Sequence, residues 1–373
     1  MKIGIDAKWY FAGPPSGRRV TRGLVHGLAE TAASDVELHF FLDAHARGHT
    51  PPGVSDERCH YICGGVNQLA NVVLLPRAAD SLRLDAVVYQ NFAPPQVGVR
   101  HARIAFVHDV IFAERPEFFT WLERLYFAPL RTLSSRAERV CTVSESEKSR
   151  MARLGFANSK DIDVVPNAVD SVFQPREDLD SAHIETVLRA IGVREPYALY
   201  VGRLTARKNV AALVRAMTHV KTPGLVLVVV GMPDPTSKDL PDLAREAGVA
   251  DRVRFVGPME DDRLPALYAA AAVFCFPSLD ESFGLPPLEA MAAGTPVIVS
   301  DRPAIVETCG NAAVYVDPTD PRAIAGAIDA LMGDPPRRAA LRDAGLRRAR
   351  TFTWQHSAER LLASVRSAVE TRA

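Results

Sequence analysis

The sequence predicts an α/β protein built as two Rossmann-like, doubly wound domains. Two observations carry this expectation. Short apolar runs of strand length alternate with amphipathic runs of helix length along the whole chain, the mark of a parallel sheet covered on both faces. The alternation is interrupted at a polar stretch over residues 171–180 that carries Pro175, which reads as a linker. The chain is 373 residues long, enough for two domains with a full core each, and they are set at residues 1–175 and 181–350.

Composition excludes several classes. Basic and acidic residues balance at 44 each, which argues against nucleic acid as a bulk electrostatic partner. Cys59, Cys63, Cys141, Cys275 and Cys309 are scattered, and only Cys59 and Cys63 lie close. No second pair completes a zinc site, so they read as reduced cysteines of a cytoplasmic protein. The N-terminus reads as a first strand rather than a signal peptide, and no apolar run reaches the roughly 18 to 20 residues of a membrane span.

In chain order, residues 2–6 form a strand, 7–16 a loop, and Gly17 opens a helix over 18–31. Strand, glycine-bearing loop and helix is how a doubly wound sheet begins, with the loop on the ligand-binding edge; Gly17 serves equally as a plain turn residue. Strands follow at 36–42, 58–63, 86–89 and 104–107, with a helix across 66–79. The last of these strands runs into His108, on the same edge, where an imidazole meets either a ligand or the backbone. Residues 117–134 read as one helix whose face of Phe118, Trp121, Tyr126 and Phe127 suits a core or a partner surface. A strand at 139–143, a capping box from Ser144 to Glu147 opening a helix to Leu154, and a strand at 162–165 close the first half.

The second half repeats the pattern more cleanly. Strands are predicted at 197–201, 225–230, 253–256, 273–276, 297–299 and 313–316. Helices are predicted at 209–219, 240–247, 264–271, 323–331 and 337–350, and a last amphipathic helix at 354–370. Between two of these strands lies Glu281-Ser282-Phe283-Gly284-Leu285-Pro286-Pro287-Leu288-Glu289. Pro287 disfavours helical geometry at Pro286, so the helix here is expected to start at Pro287, with Glu289 in its first turn. Two carboxylates then stand beside a helix N-terminus, a place suited to a polar, phosphate-bearing ligand.

Two further clusters sit where strands meet loops. In Gly202-Arg203-Leu204-Thr205-Ala206-Arg207-Lys208-Asn209, Arg203 and Lys208 follow a strand and precede a helix. A forked guanidinium with a point-charge ammonium makes a clamp for a diphosphate, and the plain alternative is a solvated basic loop. Gly257-Pro258-Met259-Glu260 ends another strand, where backbone groups can meet a nucleobase edge.

Together these residues carry a resemblance. Glu281 and Glu289, separated by seven residues within E-S-F-G-L-P-P-L-E-A-M-A-A-G-T-P-V, resemble the signature of the family-4 retaining glycosyltransferases, which have the GT-B fold. The loop G-R-L-T-A-R-K-N and the segments V-S-E-S-E-K-S, V-V-P-N-A-V-D and F-V-H-D-V-I-F fit as well, with a leaning toward mannosyl- and rhamnosyltransferases of bacterial polysaccharide pathways. The resemblance implies two domains facing a cleft, with the last helix, 354–373, packed back on the first. It implies that Arg203 and Lys208 hold the donor diphosphate, that Glu281 contacts sugar hydroxyls, and that Glu289 binds the ribose. The backbone of Ser282, Phe283, Gly284 and Leu285, with Gly202, Gly257 and Met259, would complete the donor site. His108 would lie near the transferred sugar, and Gly17 in the loop that approaches the phosphates. The first-domain loop reads S-G-R-R-V where G-I-G-R-Y is commoner, a departure from the family pattern around Gly17.

The implied reaction is transfer with retention at the anomeric carbon, from a nucleotide-sugar donor to a glycan or lipid-linked saccharide acceptor. A GDP-linked mannose-like donor is the first expectation. Cationic neutralisation of the leaving group removes the need for a metal, and no cofactor is expected. Peripheral association with the inner face of the cell membrane is left open. Two alternatives stand beside this: a nucleotide-sugar-binding subunit without transfer, and a UDP-sugar-dependent transferase acting on a small molecule. A dinucleotide-binding protein fails because no G-x-G-x-x-G follows a strand.

Overall fold

A computed structural model describes residues 1–62, 67–194, 196–234 and 239–372. Cys63 and Val66, the predicted ends of a strand and a helix, lie outside them. The chain divides into two compact units. One comprises Met1–Pro116, Trp121–Ala168 and Phe352–Ala373, and the other Glu117–Thr120 and Val169–Thr351.

In the first unit the strands are β1 (Lys2–Asp6), β2 (Glu37–Asp43), β3 (Cys59–Ile62), β4 (Ala86–Gln90), β5 (Ala102–Phe106), β6 (Arg139–Thr142) and β7 (Ile162–Val164). They form one sheet in the order β3-β2-β1-β4-β5-β6-β7, with every pairing parallel. All five residues of β4 and of β5 are buried, as expected of central strands covered on both faces. The second unit holds β8 (Tyr197–Val201), β9 (Val226–Val230), β10 (Val253–Gly257), β11 (Val273–Phe276), β12 (Val297–Ser300) and β13 (Ala313–Val316). Their order is β10-β9-β8-β11-β12-β13, again parallel. Both sheets reverse their winding direction once, between β1 and β4 and between β8 and β11. In an open α/β sheet that reversal opens a crevice at the strands' C-terminal ends.

Several elements differ from the sequence reading, each for a local reason. The expected helix over 117–134 is broken into Trp121–Phe127 and Leu130–Ser134, because Pro129 cannot continue the first ladder. Its aromatic residues also part company: Tyr126 and Phe127 pack on the core, while Trp121 is 65% exposed. The helix expected over 66–79 holds a π-helical turn, Ala70–Leu74, before Leu75–Ser81, where Pro76 has no N–H to offer an α-helical ladder. Besides the short helix Ile111–Glu114, two longer helices among the described residues were not foreseen. Ser181–Ala190 is capped by Asp180, whose Oδ1 accepts from Ala182 N at 3.0 Å, and buries Ile184, Val187 and Leu188. Pro303–Cys309 follows β12.

The last helix, Trp354–Arg372, belongs to the first unit and lies against the helix Pro15–Thr31 and strands β4 to β7. It crosses at Gly23 and Gly27. A Cβ on Gly23 would stand 1.9 Å from Trp354 Cε2, and one on Gly27 would stand 2.4 Å from the Trp354 carbonyl oxygen. Ser357 Oγ donates to Pro166 O at 2.6 Å and Ser364 Oγ to Asp163 at 2.6 Å, so the contact is bonded as well as packed.

Candidate functional site

In the second unit, two loops flank the reversal point between β8 and β11. One is 202–209, leaving β8; the other is 277–284, leaving β11. Leu279 N donates to Arg207 O at 2.8 Å, and Asn209 Nδ2 donates to Pro277 O at 3.2 Å and Pro318 O at 2.7 Å. Asn209 takes the left-handed conformation, φ 55°, that lets the chain turn from this loop into the helix Val210–Ala216.

These contacts bring three charges together. Lys208 Nζ lies 2.6 Å from Glu281 Oε1, and Arg207 Nη1 lies 2.9 Å from Glu281 Oε2 while donating to Asp280 O at 2.6 Å. Lys208 Nζ also stands 4.8 Å from the centre of the Phe276 ring, a cation–π contact. Burial alone would raise the Glu281 carboxyl, but Arg207 and Lys208 outweigh it and bring its pKa down to about 2. Glu281 is therefore ionised across the working pH range. Arg203, expected beside Lys208, points elsewhere: its guanidinium is 59% exposed and pairs with Asp234 at 2.6 Å. Arg207 takes the inner place instead. It belongs to the same basic loop, but one loop sequence cannot say which of two arginines turns inward.

The helix after Glu281 is Leu285–Ala292, starting two residues earlier than expected. The bias against helical geometry before proline is overridden because neither Pro286 nor Pro287 forfeits a bond in the first turn. Gly284, at φ 113°, makes the entry; a Cβ there would stand 2.7 Å from Ile305 Cδ1. The early start moves Glu289 out of the first turn, to the fifth helical position, where it is buried and accepts from Tyr268 Oη at 2.8 Å. It also thins the N-terminal donors. Pro286 and Pro287 have no N–H and Leu288 N already bonds Gly284 O at 3.3 Å, so the entrance donors come from residues up to Leu285. Phe283 O accepts from Thr308 Oγ1 at 2.7 Å, which ties this turn to the helix Pro303–Cys309.

Gly202 leaves β8 with its N–H on Val230 O at 3.0 Å, and Gly257 ends β10 with its carbonyl accepting from Gly231 N at 2.9 Å. Met259 lines an open cavity of about 540 Å³ with Ile191, Arg254, Pro258, Glu260 and Arg263.

In the first unit, His108 follows β5. Its ring stacks on Phe106 at 4.8 Å, faces Trp9 at 6.1 Å, and its Nε2 lies 2.6 Å from Gln90 Oε1. Burial depresses its pKa to about 4, with Asp6 opposing in part, so the imidazole is neutral near pH 7. Gly17 lies inside the helix Pro15–Thr31, which begins three residues before the expected Arg18. A Cβ on Gly17 would meet Trp9 Cε3 at 2.9 Å, so this glycine makes room for the ring that faces His108. Of the predicted capping box, the Ser144 Oγ accepts from Glu147 N at 3.0 Å. The Glu147 carboxylate accepts from Val110 N at 2.6 Å and from Arg150 at 2.5 Å.

Among the described residues no three His, Cys, Asp or Glu side chains gather in a way that would hold a metal ion. The four described cysteines are buried free thiols, and burial pushes Cys141, Cys275 and Cys309 up to about 12. No described helix is long and apolar enough to cross a membrane.

Comparison with known proteins follows the two units. Residues 18–173 match the model described as glycosyltransferase family 4, and residues 189–348 the one described as glycosyl transferases group 1. The chain is 33% identical over 254 residues to a D-inositol 3-phosphate glycosyltransferase of Stackebrandtia nassauensis, a match covering 64% of this chain and 56% of that protein. It is 31% identical over 227 residues to the O-antigen chain mannosyltransferase RfbU of Salmonella typhimurium, covering 60% of this chain and 58% of that one. The chain thus spans less than two thirds of the length of these curated relatives. Among solved structures, sucrose-phosphate synthase from Thermosynechococcus elongatus superposes with a TM-score of 0.77 at 22% identity over 98% of both chains. WaaG, a glycosyltransferase involved in lipopolysaccharide biosynthesis, does so with 0.72 at 18% identity, again over 98% of both. The two family models between them take in most of the sequence, and the chain belongs to the family-4 glycosyltransferases of GT-B fold.

Proposed function

We propose that this protein is a retaining glycosyltransferase that moves a sugar, mannose or a close relative, from a nucleoside diphosphate donor to a saccharide acceptor in polysaccharide or O-antigen assembly. The observation that carries this is the ionised Glu281 held between Arg207 and Lys208 at the sheet's reversal point. Two fixed cations there, Arg207 and Lys208, neutralise the charge that grows on a departing diphosphate. Glu281 keeps the cations in place and offers carboxylate oxygens to sugar hydroxyls. Glu289 with Tyr268 takes the ribose, residues 282–285 bond sugar and phosphate through their backbone, and His108 meets the transferred sugar. The diphosphate oxygen freed as the glycosidic bond breaks accepts the acceptor's hydroxyl proton on the same face, so configuration is retained. The mannosyltransferase relatives support the sugar, and a GDP-linked donor is taken first, before UDP-linked ones.

The test is a panel of GDP- and UDP-sugars, with thermal stabilisation and slow donor hydrolysis as readouts and NMR of the anomeric proton in the product. Inversion at that carbon, or no response to any member, rejects the reading. Lys208→Ala is expected to weaken nucleoside diphosphate binding roughly 10- to 100-fold, the value of about 1.5–3 kcal/mol for one charge-assisted bond. Unchanged affinity by calorimetry would remove Lys208 from the clamp.

A lipid-linked acceptor draws support from the first unit. On Trp121–Phe127 the exposed residues are Trp121, Leu122, Arg124 and Leu125, while Glu123, Tyr126 and Phe127 are half-buried, the two aromatics against the core. The outward face is thus apolar with a basic flank, which suits the headgroup region of an anionic bilayer. Vesicles containing phosphatidylglycerol are expected to retain the protein in sedimentation at low salt. The Trp121→Ser, Leu125→Ser double variant should remain in the supernatant, and equal retention would reject this face.

A further inference from the structure

We propose that Gln90 is a positioning residue for His108: it fixes the imidazole in the Nε2–H tautomer and so presents Nδ1 as an acceptor to a substrate hydroxyl. The clause about substrate rests on the proposed place of His108 at the transferred sugar; the tautomer does not.

The geometry is that of a held acceptor. Gln90 is the last residue of β4, paired with Phe106 of β5, and His108 follows two residues beyond. Its side-chain oxygen meets His108 Nε2 at 2.6 Å. An amide oxygen only accepts, so the imidazole must donate there, and a neutral ring then has its lone pair on Nδ1. Among the described residues Nδ1 takes no hydrogen bond, and the ring is only part-buried, which leaves that lone pair for a ligand.

What makes Gln90 an unusual residue is how firmly its own backbone is gripped. Its N–H donates to Asp6 Oδ2 at 3.2 Å and its carbonyl accepts from Asn71 Nδ2 at 3.0 Å. Lys8 Nζ in turn bonds Asp6 Oδ1 at 2.6 Å and Asn71 Oδ1. Asp6, Lys8, Asn71 and Gln90 are all buried. A buried Asp–Lys pair is expensive unless its remaining polar atoms are satisfied, and here they are satisfied by the peptide group of Gln90 and by Asn71. The pair works as a clamp. It fixes the end of β4, and with it the origin of the side chain that orients His108. Phe106 and Trp9 limit the ring on its faces, so stacking sets the plane and Gln90 sets which nitrogen carries the proton.

The test uses the full chain with ring-labelled histidine, the His108 nitrogens being assigned by their loss in His108→Ala. In the wild type these nitrogens are expected to report the Nε2–H tautomer; the Nδ1–H form would overturn the proposal. Gln90→Leu should turn this into a tautomer mixture and lower transfer roughly tenfold, with nucleoside diphosphate affinity unchanged. Gln90→Glu, nearly isosteric, should keep the tautomer but raise the pH at which His108 protonates, moving the acid limb of the pH–rate profile upward. Ring signals in Gln90→Leu and Gln90→Glu identical to wild type would overturn the proposal. If the signals change as stated but neither Gln90→Leu nor His108→Ala affects transfer, the orienting role stands and the assignment of His108 to the sugar falls.

Discussion

Glu281→Ala is expected to abolish transfer, by about a thousandfold or more, while nucleoside diphosphate affinity holds or rises. The divergence follows from the charges. Arg207 and Lys208 are largely buried and share one carboxylate. Without it the two cations lose the carboxylate they share, and a diphosphate supplies that negative charge directly. The sugar loses its carboxylate contact, so the bound donor is no longer held for reaction. Removing the carboxylate from between two largely buried cations also lowers stability, by roughly 3 kcal/mol, so the variant should melt earlier yet recover with diphosphate present. The same group gives a pH signature. Its folded pKa, about 2, lies below the ordinary glutamate value of 4.5, so its stabilisation is complete above about pH 4.5 and is lost as pH falls toward 2. Glu281→Ala should therefore flatten the acid limb of the stability profile. Calorimetric titration with a nucleoside diphosphate, beside a transfer assay, separates the two effects; turnover like the wild type would remove Glu281 from the site.

The parts of this site legible in the sequence were those fixed by local pattern. The strands show as apolar runs, and the loops at their C-terminal ends follow from a parallel sheet, so the neighbourhood of 202–209 and 279–289 could be read directly. What could not be read is set by contacts distant in sequence. Arg207 rather than Arg203 reaches Glu281 because Leu279 and Asn209 pin the loop from another strand end. Tyr268 joins Glu289 from a helix 21 residues away. Gln90 and Asp6 meet His108 only after β1, β4 and β5 are laid side by side. The helix start at Leu285 was a failure of a different kind. The bias against helical geometry before proline carries no weight in a first turn, where neither Pro286 nor Pro287 loses a hydrogen bond. Ser181–Ala190 carries a local signal of its own, Ile184, Val187 and Leu188 at helical spacing behind an aspartate cap, directly after a polar linker.

Gly27 offers the clearest case in which sequence and structure forecast opposite signs. Within the helix Pro15–Thr31 a glycine lowers helix propensity, so Gly27→Ala read from sequence alone should stabilise by about 0.5–1 kcal/mol. The structure reverses this. The new Cβ would stand 2.4 Å from the Trp354 carbonyl oxygen and 2.7 Å from its carbonyl carbon, and both are backbone atoms at the start of the last helix. No rotamer change relieves such a contact; the helix Trp354–Arg372 must move as a whole. That helix is bonded at Ser357 and Ser364 and buries Trp354, Leu361, Leu362 and Val365, so moving it strains many contacts together. Overpacking of this kind costs about 1–3 kcal/mol and more where backbone must shift, which outweighs the propensity gain. A net loss of about 2 kcal/mol should lower the melting temperature of a unit this size by roughly 4–8 °C. Gly326→Ala supplies the control: it also lies within a helix, Pro321–Met332, and its Cβ would meet nothing within 4 Å. That variant should melt at or slightly above the wild type. If Gly27→Ala does the same, the last helix is not held against Gly27 as closely as these distances require.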